Sequence, residues 1–128
     1  MNLDKAMKDI LENAYDFLDQ AIAEVEEKPK YSIIHFYTAL ELLVKARLMH
    51  EHWTLILTKP ENTEQGKFES GDFHSVSLDS ANKRLNNIVG DGLTEQELKV
   101  FNSIRTLRNK WIHFFHKDMV MEKVKLPI

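Results

Sequence analysis

The sequence of 128 residues contains no cysteine and only four glycines and three prolines. The absence of cysteine excludes a disulfide scaffold, a thiolate metal site and a cysteine nucleophile, and it suits a reducing compartment. The low glycine and proline content excludes collagen-like and proline-rich low-complexity chains. Hydrophobic residues make up 43% of the chain and charged residues 29%. This composition and length predict a single folded domain over residues 1–128.

Long hydrophobic runs are also missing. No segment approaches the ~18 apolar residues of a membrane span, and residues 1–5 lack the apolar core of a signal peptide. We therefore expect a cytoplasmic protein without a membrane partner. The net charge is −3, but residues 83–128 carry 9 basic and 5 acidic groups. A polyanion would therefore meet the last third of the chain, although such asymmetry is also common in helical bundles that bind none.

Apolar residues recur with the helical period in four segments, which predicts an all-α, up-and-down bundle of four main helices. The segments cover about residues 3–28, 32–53, 78–89 and 95–117. The second is apolar nearly all round, which is typical of a helix packed on more than one side. Residues 59–76 show no periodicity, and a loop of this length is usually functional or mobile. A short fifth helix within it is the other alternative.

Local signals mark several helix ends. Asn2 and Ser77 are N-cap residues, and Ile88 is expected to face inward shortly before Gly90 ends the third helix. The clearest signal is the capping box from Thr94 to Glu97, which starts the fourth helix. In the second helix, Glu41 and Lys45 form a favourable i,i+4 ion pair.

The fourth helix carries a polar stripe between apolar side chains. The stripe members recur at steps of three or four and are Asn102, Arg105, Asn109, His113 and His116. The flanking side chains are Trp111, Ile112, Phe114 and Phe115. Such flanks predict a polar line pressed into a packed surface, inside the bundle or against another chain. The alternative interpretation is that the stripe residues have only a structural role, as hydrogen-bonded side chains near a helix end.

Residues 108–113 read Arg-Asn-Lys-Trp-Ile-His. This R-N-x-x-x-H pattern, late in the last long helix of a small all-helical chain, resembles the signature of the HEPN superfamily (higher eukaryotes and prokaryotes nucleotide-binding). Residues 38–48 also look like the second helix of that family. The resemblance spans most of the chain and leaves residues 59–76 unmatched.

The resemblance implies a metal-independent endoribonuclease without a cofactor, commonly a toxin of a toxin–antitoxin pair or an antiphage-defence protein. The chemistry suits these residues, because RNA supplies its own nucleophile, the 2′-hydroxyl. An imidazole such as that of His113 can act as acid or base near neutral pH, and the forked guanidinium of Arg108 can bind the phosphate. Asn109, one turn before His113, is placed to orient the imidazole ring.

One geometric difficulty points to a dimer. Arg108 and His113 are five residues apart, which is about 140° around an intact helix, so they do not share a face. Two copies meeting at a two-fold axis would bring both pairs into one cleft. The resemblance implies the same homodimer, with the motif at the interface. Its aromatic flanks become candidate interface anchors.

Weaker candidates and alternatives remain beside this hypothesis. Arg105, Lys110 and His116 are secondary phosphate-binding candidates, with simple solvation as the blander interpretation. Glu41 is a further candidate for the site, unless it only pairs with Lys45. A metal shared by His113 and His116 lacks a carboxylate to complete it. The alternative function is that of a non-catalytic nucleotide-binding or dimerising HEPN protein, such as the partner of a nucleotidyltransferase.

Overall fold

The computed structural model describes residues 2–114, and the regular structure in that range is helical. The five α-helices are α1 (Leu3–Glu24), α2 (Pro29–Glu51), α3 (Gln65–Ser70), α4 (Leu78–Arg84) and α5 (Glu95–Phe114). This confirms the predicted all-α class with four main helices, and α3 is a short fifth helix within residues 59–76. None of these helices, which lie between residues 2 and 114, is long and apolar enough to cross a membrane.

The helix boundaries follow local chemistry. The side chain of Asn2 caps α1 by accepting a hydrogen bond from the backbone N–H of Lys5 at 3.0 Å, as expected. The turn after α1 comes earlier than predicted, because α1 ends at Glu24 and α2 begins at Pro29. Proline suits the first position of a helix, where its missing N–H has no acceptor to satisfy. The predicted end of the last helix near residue 117 lies outside the described residues.

The third predicted helix is a composite. Ser77 caps α4, and its hydroxyl accepts from the N–H of Ser80 at 3.2 Å. A π-helical turn, Leu85–Val89, follows and ends at Gly90 with φ +80°. The inward position predicted for Ile88 is wrong, since its side chain is 63% exposed. A π-turn closes i→i+5 hydrogen bonds, so it rotates later side chains away from the α-helical register.

The chain divides into two compact units, and the three boundaries between them fall inside α1, inside α2 and just before α5. The first unit comprises the residues up to Asn13 together with Glu41–Gly92. Its larger buried apolar side chains are Val44, Leu48, Met49, Trp53, Ile56, Leu57, Phe68, Val76, Leu78 and Leu85. Trp53 and Phe73 each pack against Phe68 with ring centroids 4.9 Å apart.

Polar contacts fix the 59–76 segment within the first unit. Arg84 donates from Nη1 to the carbonyl oxygens of Leu55 and Leu57 at 2.5 and 2.8 Å. The buried Nζ of Lys45 donates to Ser75 Oγ at 2.8 Å and to Glu41 Oε1 at 3.0 Å. The chain is therefore held just before this segment, at Leu55 and Leu57, and near its end, at Ser75. The predicted Glu41–Lys45 pair is confirmed.

The second unit comprises Ala14–Leu40 and the described residues from Leu93 onward. Its buried apolar side chains are Ala14, Ala21, Ile33, Tyr37, Ala39, Ile104, Leu107 and Trp111. Two polar contacts connect α1 with α2 here. Ser32 Oγ donates to the carbonyl oxygen of Ala21 at 2.6 Å, and His35 Nδ1 lies 2.5 Å from Glu24 Oε1. This unit holds the R-N-x-x-x-H motif.

Candidate active site

The motif lies on a helix whose start and rotation are fixed. Glu97 N–H donates to Thr94 Oγ1 at 3.1 Å, while Thr94 N–H donates to Glu97 Oε1 at 3.0 Å, which confirms the capping box. Further along α5 the side chains of Ile104, Leu107 and Trp111 are buried. Because these three side chains hold one face of α5 against the core, the directions of Arg108, Asn109 and His113 around the helix are fixed.

Arg108 rests on an aromatic ring. Its guanidinium carbon Cζ lies 4.0 Å from the ring centroid of Tyr37 on α2, and Tyr37 itself is only 4% exposed. Arg108 is half-buried. A guanidinium over a tyrosine face is held by the ring quadrupole, and the attraction grows as water is excluded. Tyr37 therefore supports one face of the guanidinium.

Asn109 holds the edge of the same guanidinium. Arg108 donates to Asn109 Oδ1 from Nε at 3.2 Å and from Nη2 at 2.9 Å. The amide oxygen of Asn109 therefore accepts from Arg108. The sequence predicts the His113 ring as the partner of Asn109, but within residues 2–114 no hydrogen bond joins the two. The Nη1 group of Arg108 has no hydrogen-bond acceptor among the described residues. Its two N–H donors can therefore take a phosphate oxygen.

His113 is at the surface. Its side chain is exposed, with its ring centroid 6.0 Å from that of Phe114. Phe114 is 73% exposed and Ile112 is 52% exposed. Because α5 is regular through the motif, Arg108 and His113 lie on different sides of it, as the spacing requires. Among the described residues the imidazole is therefore exposed, and its two chain neighbours Ile112 and Phe114 are exposed apolar side chains.

The weaker candidates have mixed positions. Arg105 is half-buried and donates to Asn102 Oδ1, and Lys110 is exposed. His116 lies outside the described residues. Glu41 forms the ion pair with Lys45 described above. Residues 2–114 contain no group of three or more histidines and carboxylates placed to hold a metal ion.

Sequence reasoning missed Tyr37. It lies in the apolar run of α2, where a tyrosine looks like one more core residue. The signal that distinguishes it from an aliphatic core residue is its own phenolic hydroxyl. The pairing of Tyr37 with Arg108 depends on how α2 and α5 pack, which periodicity does not reveal. A buried aromatic ring beneath a permanently charged side chain is visible only in three dimensions.

Among residues 2–114 these groups supply a guanidinium held on one face and one edge, and an exposed imidazole. A cation of this kind can neutralise charge on a phosphate, and an imidazole can move a proton. Comparison of the chain with family models, with curated proteins and with solved structures finds no match.

Proposed function

We propose that the protein is a metal-independent endoribonuclease that acts as a homodimer through Arg108, Asn109 and His113. The observation that carries the proposal is the state of Arg108. Tyr37 covers one face of its guanidinium and Asn109 binds one edge, while Nη1 has no hydrogen-bond acceptor among residues 2–114. A cation pre-oriented in this way loses little conformational freedom when it binds a phosphate, which strengthens binding.

The reaction follows from RNA and these side chains. A base removes the proton of the 2′-hydroxyl, the oxygen attacks the adjacent phosphorus, and the bond from phosphorus to the 5′-oxygen breaks. An acid protonates the departing 5′-oxygen, so the products are a 2′,3′-cyclic phosphate and a 5′-hydroxyl. The imidazole of His113 takes the proton of the 2′-hydroxyl and then gives a proton to the departing 5′-oxygen, and Arg108 stabilises the negative charge of the phosphorane.

The dimer supplies what one helix cannot. Arg108 and His113 point to different sides of α5, so one copy does not present both to the same phosphodiester. A two-fold contact through this part of α5 brings His113 of one copy toward Arg108 of the other. Ile112 and Phe114 support the proposal, because both are large apolar side chains exposed beside the motif.

Cleavage of mixed RNA in the presence of excess chelator tests the activity. We expect fragments with cyclic phosphate ends from the wild-type protein, and a rate reduced at least about 100-fold by His113→Ala, because general acid–base catalysis contributes that much. His50→Ala is the matched control, since His50 is also an exposed helical histidine. Equal activity in all three proteins would mean a contaminating nuclease and would refute the proposal.

Sedimentation equilibrium tests the interface. Ile112→Glu should convert the dimer to a monomer and abolish cleavage, because it places a charge in an apolar contact. Ile22→Glu is the control, since Ile22 is 65% exposed on α1 in the same unit. A wild-type protein that remains monomeric at micromolar concentration would contradict the dimeric site.

A toxin or defence role, with an antitoxin or nucleotidyltransferase as partner, is the biological extension of the proposal. Expression should arrest bacterial growth, and Arg108→Ala should relieve the arrest. Absence of cleavage together with saturable nucleotide binding that Arg108→Ala abolishes would instead support the non-catalytic alternative.

A further inference from the structure

The 59–76 segment builds a cavity of its own within the first unit. Its volume is about 260 Å³, and its lining residues follow Leu57 and precede Ser75, the two residues that a β-bridge joins. The side chains that matter for its chemistry are Lys59, Thr63, Lys67, Asp72, Phe73 and His74. None of these belongs to the R-N-x-x-x-H motif, and sequence periodicity gives no indication of the cavity.

Backbone contacts hold the walls of this cavity. Gly71 ends α3 in the left-handed conformation at φ +83°, and the N–H of Asp72 donates to the carbonyl oxygen of Lys67 at 2.9 Å. Phe73 packs on the buried Phe68 at 4.9 Å between centroids. The backbone of the cavity is therefore shaped by a defined turn and an aromatic contact, while the side chains of Lys59, Lys67, Asp72 and His74 are exposed.

The charges around the cavity favour an anion. Lys59 and Lys67 both line it, and neither has a carboxylate within 4.0 Å among residues 2–114, although Glu61, Glu64 and Glu69 lie in the same segment. His74 and the hydroxyl of Thr63 add further donors. Asp72 is the one carboxylate in the lining. Among the lining residues alone, two ammonium groups stand against one carboxylate, so the lining carries a net positive charge.

The volume of the cavity and its aromatic wall limit the class of ligand that can bind. Ligand cavities usually have volumes of about 300–1,000 Å³. This cavity, at about 260 Å³, lies just below that range and suits a small molecule rather than a polymer strand. Phe73 offers an apolar surface beside the two lysines. We propose that this cavity binds a small phosphomonoester, with Lys59 and Lys67 on the phosphate and the remainder of the molecule against Phe73.

Calorimetric titration of the full chain with adenosine 5′-monophosphate, adenosine and inorganic phosphate tests this proposal. We expect saturable binding of the nucleotide and at least about tenfold weaker binding of adenosine, because charge-assisted hydrogen bonds are lost. Lys59→Gln with Lys67→Gln should abolish nucleotide binding, whereas Lys83→Gln, an exposed lysine outside the cavity, should not. Asp72→Asn should tighten it by removing a like charge. Matching thermal unfolding of all variants excludes misfolding as the cause.

Binding at this cavity is independent of the proposed nuclease. Arg108→Ala should leave the affinity for the nucleotide unchanged, which separates the cavity from any nucleotide bound at the motif. No measurable heat with the nucleotide or phosphate at millimolar concentration would overturn the proposal. Equal binding by wild type and the double lysine variant would also overturn it.

Discussion

The guanidinium of Arg108 stacks on the ring of Tyr37, with Cζ 4.0 Å from the ring centroid. The contact joins a residue of α5 to a residue of α2 that is almost completely buried. It gives the cation of the proposed site a rigid support, and it lies within a single unit of the chain.

The strength of this contact can be measured by a double-mutant cycle with Tyr37→Leu and Arg108→Ala. We expect a coupling free energy of about 0.5–2 kcal/mol, because the pair is partly desolvated. Urea denaturation of the four proteins gives the value. Additive effects of the two changes would show that the stacking does not contribute to stability.

Removal of Glu41 should cost more stability than removal of a surface partner. Lys45 is 6% exposed and donates to Glu41 and Ser75, so Glu41→Ala leaves a buried ammonium without its carboxylate. We expect a loss of about 1–3 kcal/mol in the free energy of unfolding. The control is Glu51→Ala, whose pair with Arg47 is exposed and should contribute below about 1 kcal/mol. Equal losses would contradict the role given to Lys45.

The start of α5 should depend on Thr94. Thr94→Ala removes the acceptor of the Glu97 N–H and should lower the free energy of unfolding by about 1 kcal/mol. Thr106→Ala, in the exposed middle of the same helix, should change it little or raise it, because alanine is the better helix former. Chemical denaturation of both variants tests the difference. A Thr94→Ala protein as stable as wild type would refute the capping role.

Two glycines should respond to alanine with opposite signs. Gly90 has φ +80°, which disfavours any side chain, so Gly90→Ala should destabilise the protein by about 1 kcal/mol. Gly66 lies in α3, and a methyl group added to its Cα would meet open space, so Gly66→Ala should stabilise the protein by about 0.4–1 kcal/mol. Thermal unfolding of the pair measures the signs. The same sign for both would contradict the conformations assigned to them.

Local signals predict much of the fold. The capping box at Thr94, the cap at Ser77 and the stop at Gly90 depend on a few neighbouring residues, and the structure confirms all three. The prediction for Ile88 is wrong because a π-turn changes the residue spacing on which periodicity relies. Pro29 prevents the first helix from continuing, but it also suits the first position of the next helix, which therefore begins earlier than expected.

Less of the candidate site than of the fold can be predicted from the sequence. The motif identifies Arg108, Asn109 and His113, but the Tyr37 ring beneath Arg108 depends on packing between residues 71 positions apart. The partner of Asn109 also differs from the prediction, since the long side chain of Arg108 reaches its neighbour. The cavity near Lys67 arises from irregular backbone, for which there is no repeating pattern to detect.

Mixing two inactive variants decides whether paired subunits form the site. Arg108→Ala and His113→Ala proteins, unfolded together and refolded, form a mixed dimer that retains one Arg108 and one His113 on opposite copies. We expect RNA cleavage to return to about one quarter of the wild-type rate. About half of the dimers are mixed, and each mixed dimer has one complete Arg108–His113 pair where a wild-type dimer has two. A mixture that stays as inactive as the separate variants would contradict a site shared between subunits.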